Sequence, residues 1–309
     1  MRNRYREPSR PPRRGGQRRT DQLVGIALVN LATLSWATNM ALGRWLRDDI
    51  GPLTLAAARF SIACLCFTVL LQRRPAGERR LGQDRWLLLG MALSGVAIFG
   101  PMLYLGLRFT TAVDATLING LGPLITGLLA TLLIREPMSR FQVAGATVGL
   151  LGVVVLISGG SLDFWPAIKG NVGGLIVLGA VVLWGVYSVL GRQVMRSRTA
   201  LSATAFSIAL GLPFLLPAAG WEILTFPPDL SPRLILIVCY IGVVPTVVGF
   251  LAWNAGVRRL GASGAMVFYN SLPFYGALLG FFFLGESIGV IHLVGGALIV
   301  GGGLCSLIR

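Results

Sequence analysis

The sequence predicts an all-α integral membrane protein of ten transmembrane helices, built as two inverted repeats of five helices each. Three observations carry that expectation. The chain of 309 residues is 54% hydrophobic and 13% charged, with a mean hydropathy of +0.74, whereas about a quarter of residues are charged in an average soluble domain. Its apolar residues gather in successive stretches of about twenty, each long enough to cross a hydrocarbon core of roughly 30 Å. The second half of the chain also repeats rare residues of the first at a fixed spacing. Together these exclude a disordered chain and an ordinary soluble enzyme.

Apolar runs bounded by charge, Gly or Pro fall at 23–46, 53–71, 86–107, 113–134, 139–158, 170–190, 201–219, 233–257, 264–284 and 289–307. The first closes at Arg47-Asp48-Asp49, the second opens behind Gly51-Pro52, and the third lies between Arg85 and Arg108. The fourth holds Gly122-Pro123 near its centre, and the fifth ends at Gly159-Gly160. The sixth stops before Arg192, the seventh lies between Arg198 and Glu222, and the eighth ends at Arg258-Arg259. The ninth holds Pro273 and stops at Gly285-Glu286, and the tenth follows Gly289. Lipid leaves no solvent for open backbone groups, so each run is expected to be helical; barrel strands would alternate with a period of two.

The net charge of +15 lies in the tail and loops rather than in a groove, with eight arginines in the first nineteen residues. That distribution fits loops facing an anionic leaflet and argues against a nucleic-acid partner. With the N-terminus inside, 21 of the 27 Lys and Arg fall on the inner side and five on the outer, with Arg59 alone inside a span. Both termini are therefore expected in the cytoplasm, in the cell (inner) membrane. No cleavage site follows a short apolar core, so a removable signal peptide is not expected. Cys64, Cys66, Cys239 and Cys305 lie in apolar segments without metal or disulfide spacing and read as small buried hydrophobes.

At an offset of 150 the chain matches itself from 106 to 152, through Arg108/Arg258, Pro123/Pro273, Glu136/Glu286, Gly145/Gly295 and Gly152/Gly302 among others. At 148, Trp36, Gly43 and Arg44 meet Trp184, Gly191 and Arg192. The expected organisation is a basic tail at 1–22, a first repeat at 23–158 and a second at 170–307. Five spans is an odd number, so the second copy enters the membrane from the opposite side, the architecture that gives alternating access to a midplane site.

These residues resemble the EamA branch of the drug/metabolite transporter superfamily over essentially the whole chain after the tail. In the first copy the resemblance rests on Trp36-Ala37-Thr38-Asn39, Arg44, Pro52, Arg59-Phe60, the run from Leu107 to Ala112, Gly122-Pro123-Leu124 and Glu136. In the second it rests on Trp184, Tyr187, Arg192, Trp253, the run from Val257 to Ser263, Asn270, Pro273 and Gly285-Glu286. It implies a ten-helix carrier, usually an exporter of amino acids or related metabolites, with a central cavity lined by both halves. Two positions depart from it: Ala37-Thr38-Asn39 stands where many relatives have Gly-Ser-Asn, and Leu272 where many have Glu.

The paired Pro123 and Pro273 are expected to break their helices at the depth where an inverted-repeat carrier binds cargo. Pro101 and Pro245 add interruptions that are not paired at the repeat offset. Polar and aromatic residues cluster in the same helices, and Trp36, Asn39, Tyr104, Asn119, Trp184, Tyr187, Asn254, Tyr269 and Asn270 are the expected substrate-binding set. Amides would orient the amino and carboxylate groups of a small zwitterion while rings cover its apolar part. Against this stands simple packing, with Asn bridging helices and Trp and Tyr in interfacial belts, the stronger reading for Trp253 near a helix end. Arg59 is expected to be structural, snorkelling outward or pairing with Asp48 or Asp49. Arg44, Arg192, Glu136 and Glu286 read as anchors at helix ends.

No Asp or Glu lies at mid-depth, which disfavours proton-coupled antiport of cationic drugs; were transport coupled to protons, the coupling group would have to lie near a helix end, with Asp114 as the candidate. The single histidine, His292, reads as packed or interfacial. An intramembrane protease or lipid transferase would need paired aspartates, a Ser with a base or a His-rich metal site, none of which can be assembled here. No catalytic residue, metal or cofactor is expected. The expected function is export of small polar metabolites, amino acids first, by a monomer or homodimer in the lipid bilayer; the alternatives are an intramembrane enzyme, or a carrier of the same fold for other cargo such as cationic drugs or nucleotide sugars.

Overall fold

A computed structural model describes residues 15–161 and 171–306. The first six arginines of the tail, Lys169 and Arg309 lie outside the described residues, as do the outer edges of the expected tail and second repeat. Within the described residues the regular structure is helical, as groups without water must pair inside their own segment. The helices are α1 (Gly15–Trp45), α2 (Pro52–Gln72), α3 (Arg85–Phe109), α4 (Ala112–Asn119), α5 (Gly122–Ile134) and α6 (Arg140–Ser158). They continue with α7 (Val172–Val194), α8 (Ala200–Thr225), α9 (Pro232–Gly261), α10 (Ser271–Leu284) and α11 (Val290–Cys305).

Eight helical stretches among the described residues are long and apolar enough to cross a membrane, and a ninth arises if the bent pair α4/α5 counts as one. The expected ten crossings are thus not all present by length. α11 has only 16 residues, and at about 1.5 Å per residue it is shorter than the hydrocarbon core. α1 begins ahead of its apolar run, because polar residues outside the membrane extend a helix without contributing to hydropathy. α8 runs past residue 219 to Thr225, carrying Pro213 and Pro217 inside it.

The packing follows the repeat. α1 packs against α9 and α3 against α7, while α2 packs against α8 and α6 against α11. Since α1 corresponds to α7 and α3 to α9, the first two contacts exchange under the repeat, and the last two map onto themselves. The glycines show the relation at atomic detail. A Cβ on Gly145 would meet the Gly302 carbonyl oxygen at 2.3 Å, and one on Gly152 the Gly295 oxygen at 2.6 Å. These are the repeat partners Gly145/Gly295 and Gly152/Gly302, contacting crosswise, so α6 and α11 run antiparallel about a twofold axis. Between helices in lipid there is little hydrophobic drive, and close backbone approach at small residues supplies the packing.

Large apolar side chains face outward, with Leu65 72% and Phe283 79% exposed. All four cysteines are free; three are half-buried and Cys239 is exposed, less enclosed than its apolar context suggested. Glu222, near the end of α8, is buried and accepts from the Leu53 amide at 3.2 Å and from the Thr54 amide and hydroxyl, both at 2.7 Å. It caps the orphan donors at the start of α2, which is how a carboxylate is tolerated there.

Candidate functional site

Four helix interruptions surround the middle of the bundle. α3 widens to a π-helical turn at Leu93–Ile98 and α9 at Val244–Val248. At the offset of 150, Gly95 corresponds to Pro245, so these breaks are paired although Pro101 and Pro245 are not. π-turns disturb the backbone ladder and recur at functional sites. Between α4 and α5 the chain bends by 40°, and the stretch entering α10 ends at Tyr269, with Asn270 as the turn. Pro123 and Pro273 fall just inside the helices that follow, near the position where a missing N–H costs nothing. A further break in the stretch Gly249–Tyr269 lies at Gly261, with φ of 77°.

At these breaks lies a cavity walled by residues of both copies. Trp36, Asn39, Asn119, Trp184, Tyr187, Tyr269 and Pro245 of the expected set line it, with Arg59, Phe60, Gly95, Phe99, Thr204, Ser207, Thr246 and Leu272. Trp36 lies 5.5 Å from Trp253 and 6.2 Å from Tyr269 between ring centroids, and its indole N–H donates to the Pro245 carbonyl at 3.1 Å. Its repeat partner Trp184 lies 5.1 Å from Phe99 and stacks on Tyr187 at 5.0 Å. The two related tryptophans thus each anchor an aromatic cluster at the wall. Gly95 lets Tyr187 in: a Cβ there would stand 2.2 Å from the ring.

Other expected residues are placed elsewhere. Tyr104 is buried behind the wall, donating to Asn39 Oδ1 at 2.7 Å. Asn254 turns its amide onto the Phe250 carbonyl of its own helix at 2.8 Å, and Asn270 lies against Gly303 of α11. Neither lines the cavity, and nor do Pro101, Pro123 or Pro273. Trp253 packs into the Trp36 cluster, 5.5 Å from Trp36 and 5.7 Å from Tyr269 between ring centroids. Arg59 neither snorkels nor meets Asp48, which pairs with Arg47 at 3.2 Å; it is buried and faces the cavity, with Nη1 donating to Asn39 and Tyr104. Hydropathy gives depth along a helix but not rotation about it, so the directions in which Asn254, Asn270 and Arg59 turn are not legible in it.

The helix-end residues join the copies. Arg44 Nη1 donates to the Leu107 and Arg108 carbonyls at 2.9 Å each, and its Nε is 4.0 Å from Glu286. Glu286 caps α4, accepting from Ala112 and Val113 amides at 2.8 and 3.0 Å. Arg192 Nη1 meets Glu136 at 2.6 Å. Away from the cavity, Asp114 lies 3.4 Å from His292 Nε2, so the carboxylate that proton coupling would call on and the single histidine are neighbours.

A helical bundle of apolar exterior, with an internal twofold relation and a polar-aromatic cavity at its helix breaks, defines the class of multi-pass membrane transporters. Within that class, the chain belongs to the EamA-like transporter family, whose model matches it twice, at residues 23–158 and 171–308. The uncharacterized transporter YyaM of Bacillus subtilis is 27% identical over 284 residues, covering 90% of each chain. A protein of Streptantibioticus cattleyicolor named as a probable terminal-alkyne amino-acid exporter is 27% identical over 281 residues, covering 89% of this chain and 90% of its own. One solved crystal structure superposes with a TM-score of 0.59 at 25% identity, covering 93% of this chain and 96% of that one.

Proposed function

We propose that this chain is a secondary transporter that exports amino acids or closely related small metabolites by alternating access. Its two repeats, 23–158 and 170–307, each cross the membrane five times in opposite senses, with α11 as the tenth crossing and both termini in the cytoplasm of the cell membrane. The observation that carries this reading is the cavity at the seam, where Trp36 and Trp184, equivalent residues of the two copies, anchor aromatic clusters on its wall. A site shared between two related halves changes its exposure when they rock against one another. The amide and aromatic lining suits a small molecule with polar and apolar ends, and the relative named as a probable terminal-alkyne amino-acid exporter supports that cargo.

The test is a resistance screen against toxic amino-acid analogues in cells overproducing the protein, paired with uptake of radiolabelled amino acids into sealed inside-out vesicles. Resistance with matching vesicle uptake, both lost in Asn39→Ala/Tyr187→Ala at unchanged expression, is the expected result. No resistance and no uptake of any of the twenty amino acids would overturn the cargo assignment.

A further inference from the structure

Among the described residues Arg59 is the only formally charged one lining the cavity, and its surroundings do not balance its charge. The side chain is 8% exposed. Its Nη1 reaches Asn39 Oδ1 at 3.3 Å and Tyr104 Oη at 2.9 Å, both neutral oxygens. The guanidinium carbon lies 4.4 Å from the centroid of the Phe60 ring. Nε is buried and has no hydrogen-bond partner. Among the described residues no carboxylate pairs with it: Asp48 is held by Arg47, and Glu222 is spent on the start of α2. A buried cation in a membrane bundle is costly unless an anion answers it.

The fold itself does not call for the charge. At the repeat offset of 148, Arg59 corresponds to Ser207, which lines the same cavity from the other copy and donates to the Thr204 carbonyl at 2.9 Å. One position thus carries a guanidinium in one half and a self-satisfied hydroxyl in the other. The difference makes one side of an otherwise pseudo-symmetric cavity cationic.

We infer that Arg59 is the docking group for a carboxylate of the cargo, which makes the transported class small monocarboxylates with an apolar body, zwitterionic amino acids among them. This deepens the transporter reading above and rests on it. With Nη1 committed, the remaining donors of the planar guanidinium suit the two oxygens of a carboxylate. The rest of the cargo then lies against the Phe99, Trp184 and Tyr187 rings, whose faces accept an apolar chain or an ammonium. With no acid on the wall, an amine without a carboxylate would meet only repulsion from Arg59.

The experiment compares matched probes on the purified full chain, by thermal unfolding in detergent: L-leucine against L-leucinamide, and L-phenylalanine against L-phenylalaninamide. The expected result is a rise in midpoint with at least one acid and none with its amide, a comparison that needs no variant. In Arg59→Lys the acid's apparent affinity should fall about tenfold, and in Arg59→Gln about a hundredfold. An amide that binds as well as its acid, an Arg59→Gln protein that keeps the acid's affinity, or a wild type that binds neither acid overturns the assignment. Vesicle flux separates the two readings: flux of a cargo lacking a carboxylate sinks the role of Arg59 and leaves the transporter standing, whereas absence of any flux sinks the transporter.

Discussion

Tyr269 donates its hydroxyl to Asn119 Oδ1 at 3.2 Å, and the two residues stand 150 positions apart. That separation is the repeat offset, so equivalent residues of the two copies are bonded to each other, each at the end of a broken helix. A twofold axis brings equivalent positions together only where it passes between them, and here that place is the cavity wall.

Removing this bond should be costly out of proportion to its size. Asn119 Nδ2 is already buried without a partner, and Tyr269→Phe would orphan Oδ1 as well. The expected loss is about 1–3 kcal/mol of stability. In a double-mutant cycle with Asn119→Ala, thermal unfolding should give a coupling of about 0.5 kcal/mol or more; additive losses would show that the contact holds nothing.

Gly95→Ala should act through Tyr187. The added Cβ would lie 2.2 Å from Tyr187 Cδ2 and 2.7 Å from Cγ, and overpacking of this kind costs about 1–3 kcal/mol. The ring is pressed into the cavity, so transport should show a raised KM at unchanged expression. Tyr187→Ala in the same chain should restore stability; failure to do so would place the damage in the π-turn instead.

Each copy lends an arginine to the other's glutamate, Arg44 to Glu286 and Arg192 to Glu136. The two pairs differ in burial: the Glu286 side chain is 9% exposed and that of Glu136 41%. Glu286→Gln weakens the cap of α4 and should cost about 1–3 kcal/mol, whereas Glu136→Gln should cost under about 1 kcal/mol. Equal losses in thermal unfolding would contradict this. The exchanged pair Glu136→Arg/Arg192→Glu should unfold like the wild type.

Asp84 ties the loop before α3 to the turn before α8. Ser197 Oγ and Arg198 Nε donate to its Oδ2 at 2.8 and 3.0 Å, and these bonds hold its carboxyl below the usual range. Arg198 also donates to the Leu81 carbonyl. Because the folded value is the lower one, the stabilisation is complete above the unfolded carboxylate pKa of about 4 and is lost as pH falls through that value and below. The stability difference between wild type and Asp84→Asn should therefore be constant near neutrality and shrink in acid; its exposure limits it to under about 1 kcal/mol. A difference that grows on acidification would reverse the sign.

What the sequence disclosed about this molecule was what rare residues at fixed spacing can disclose. Pro123 with Pro273, Trp36 with Trp184, and the Arg and Glu pairs located the repeat, and of these the two tryptophans line the cavity. The π-turns at Leu93–Ile98 and Val244–Val248 were hidden, because one extra residue per turn leaves an apolar run apolar. Asn254 and Asn270 are polar at the right depth but satisfied elsewhere. Arg59 looked like a snorkel because its distance from the membrane edge is visible in sequence and its inward rotation is not.

The decisive measurement is the reactivity of a single cysteine at Thr246, a half-buried cavity-wall position, with Cys64, Cys66, Cys239 and Cys305 replaced. A carrier that alternates exposes this cysteine to a membrane-impermeant maleimide from outside, in intact cells, and from inside, in inside-out vesicles. Labelling from both sides is the expected result. Labelling from one side alone, or from neither, would mean that the chamber between the two copies does not change sides.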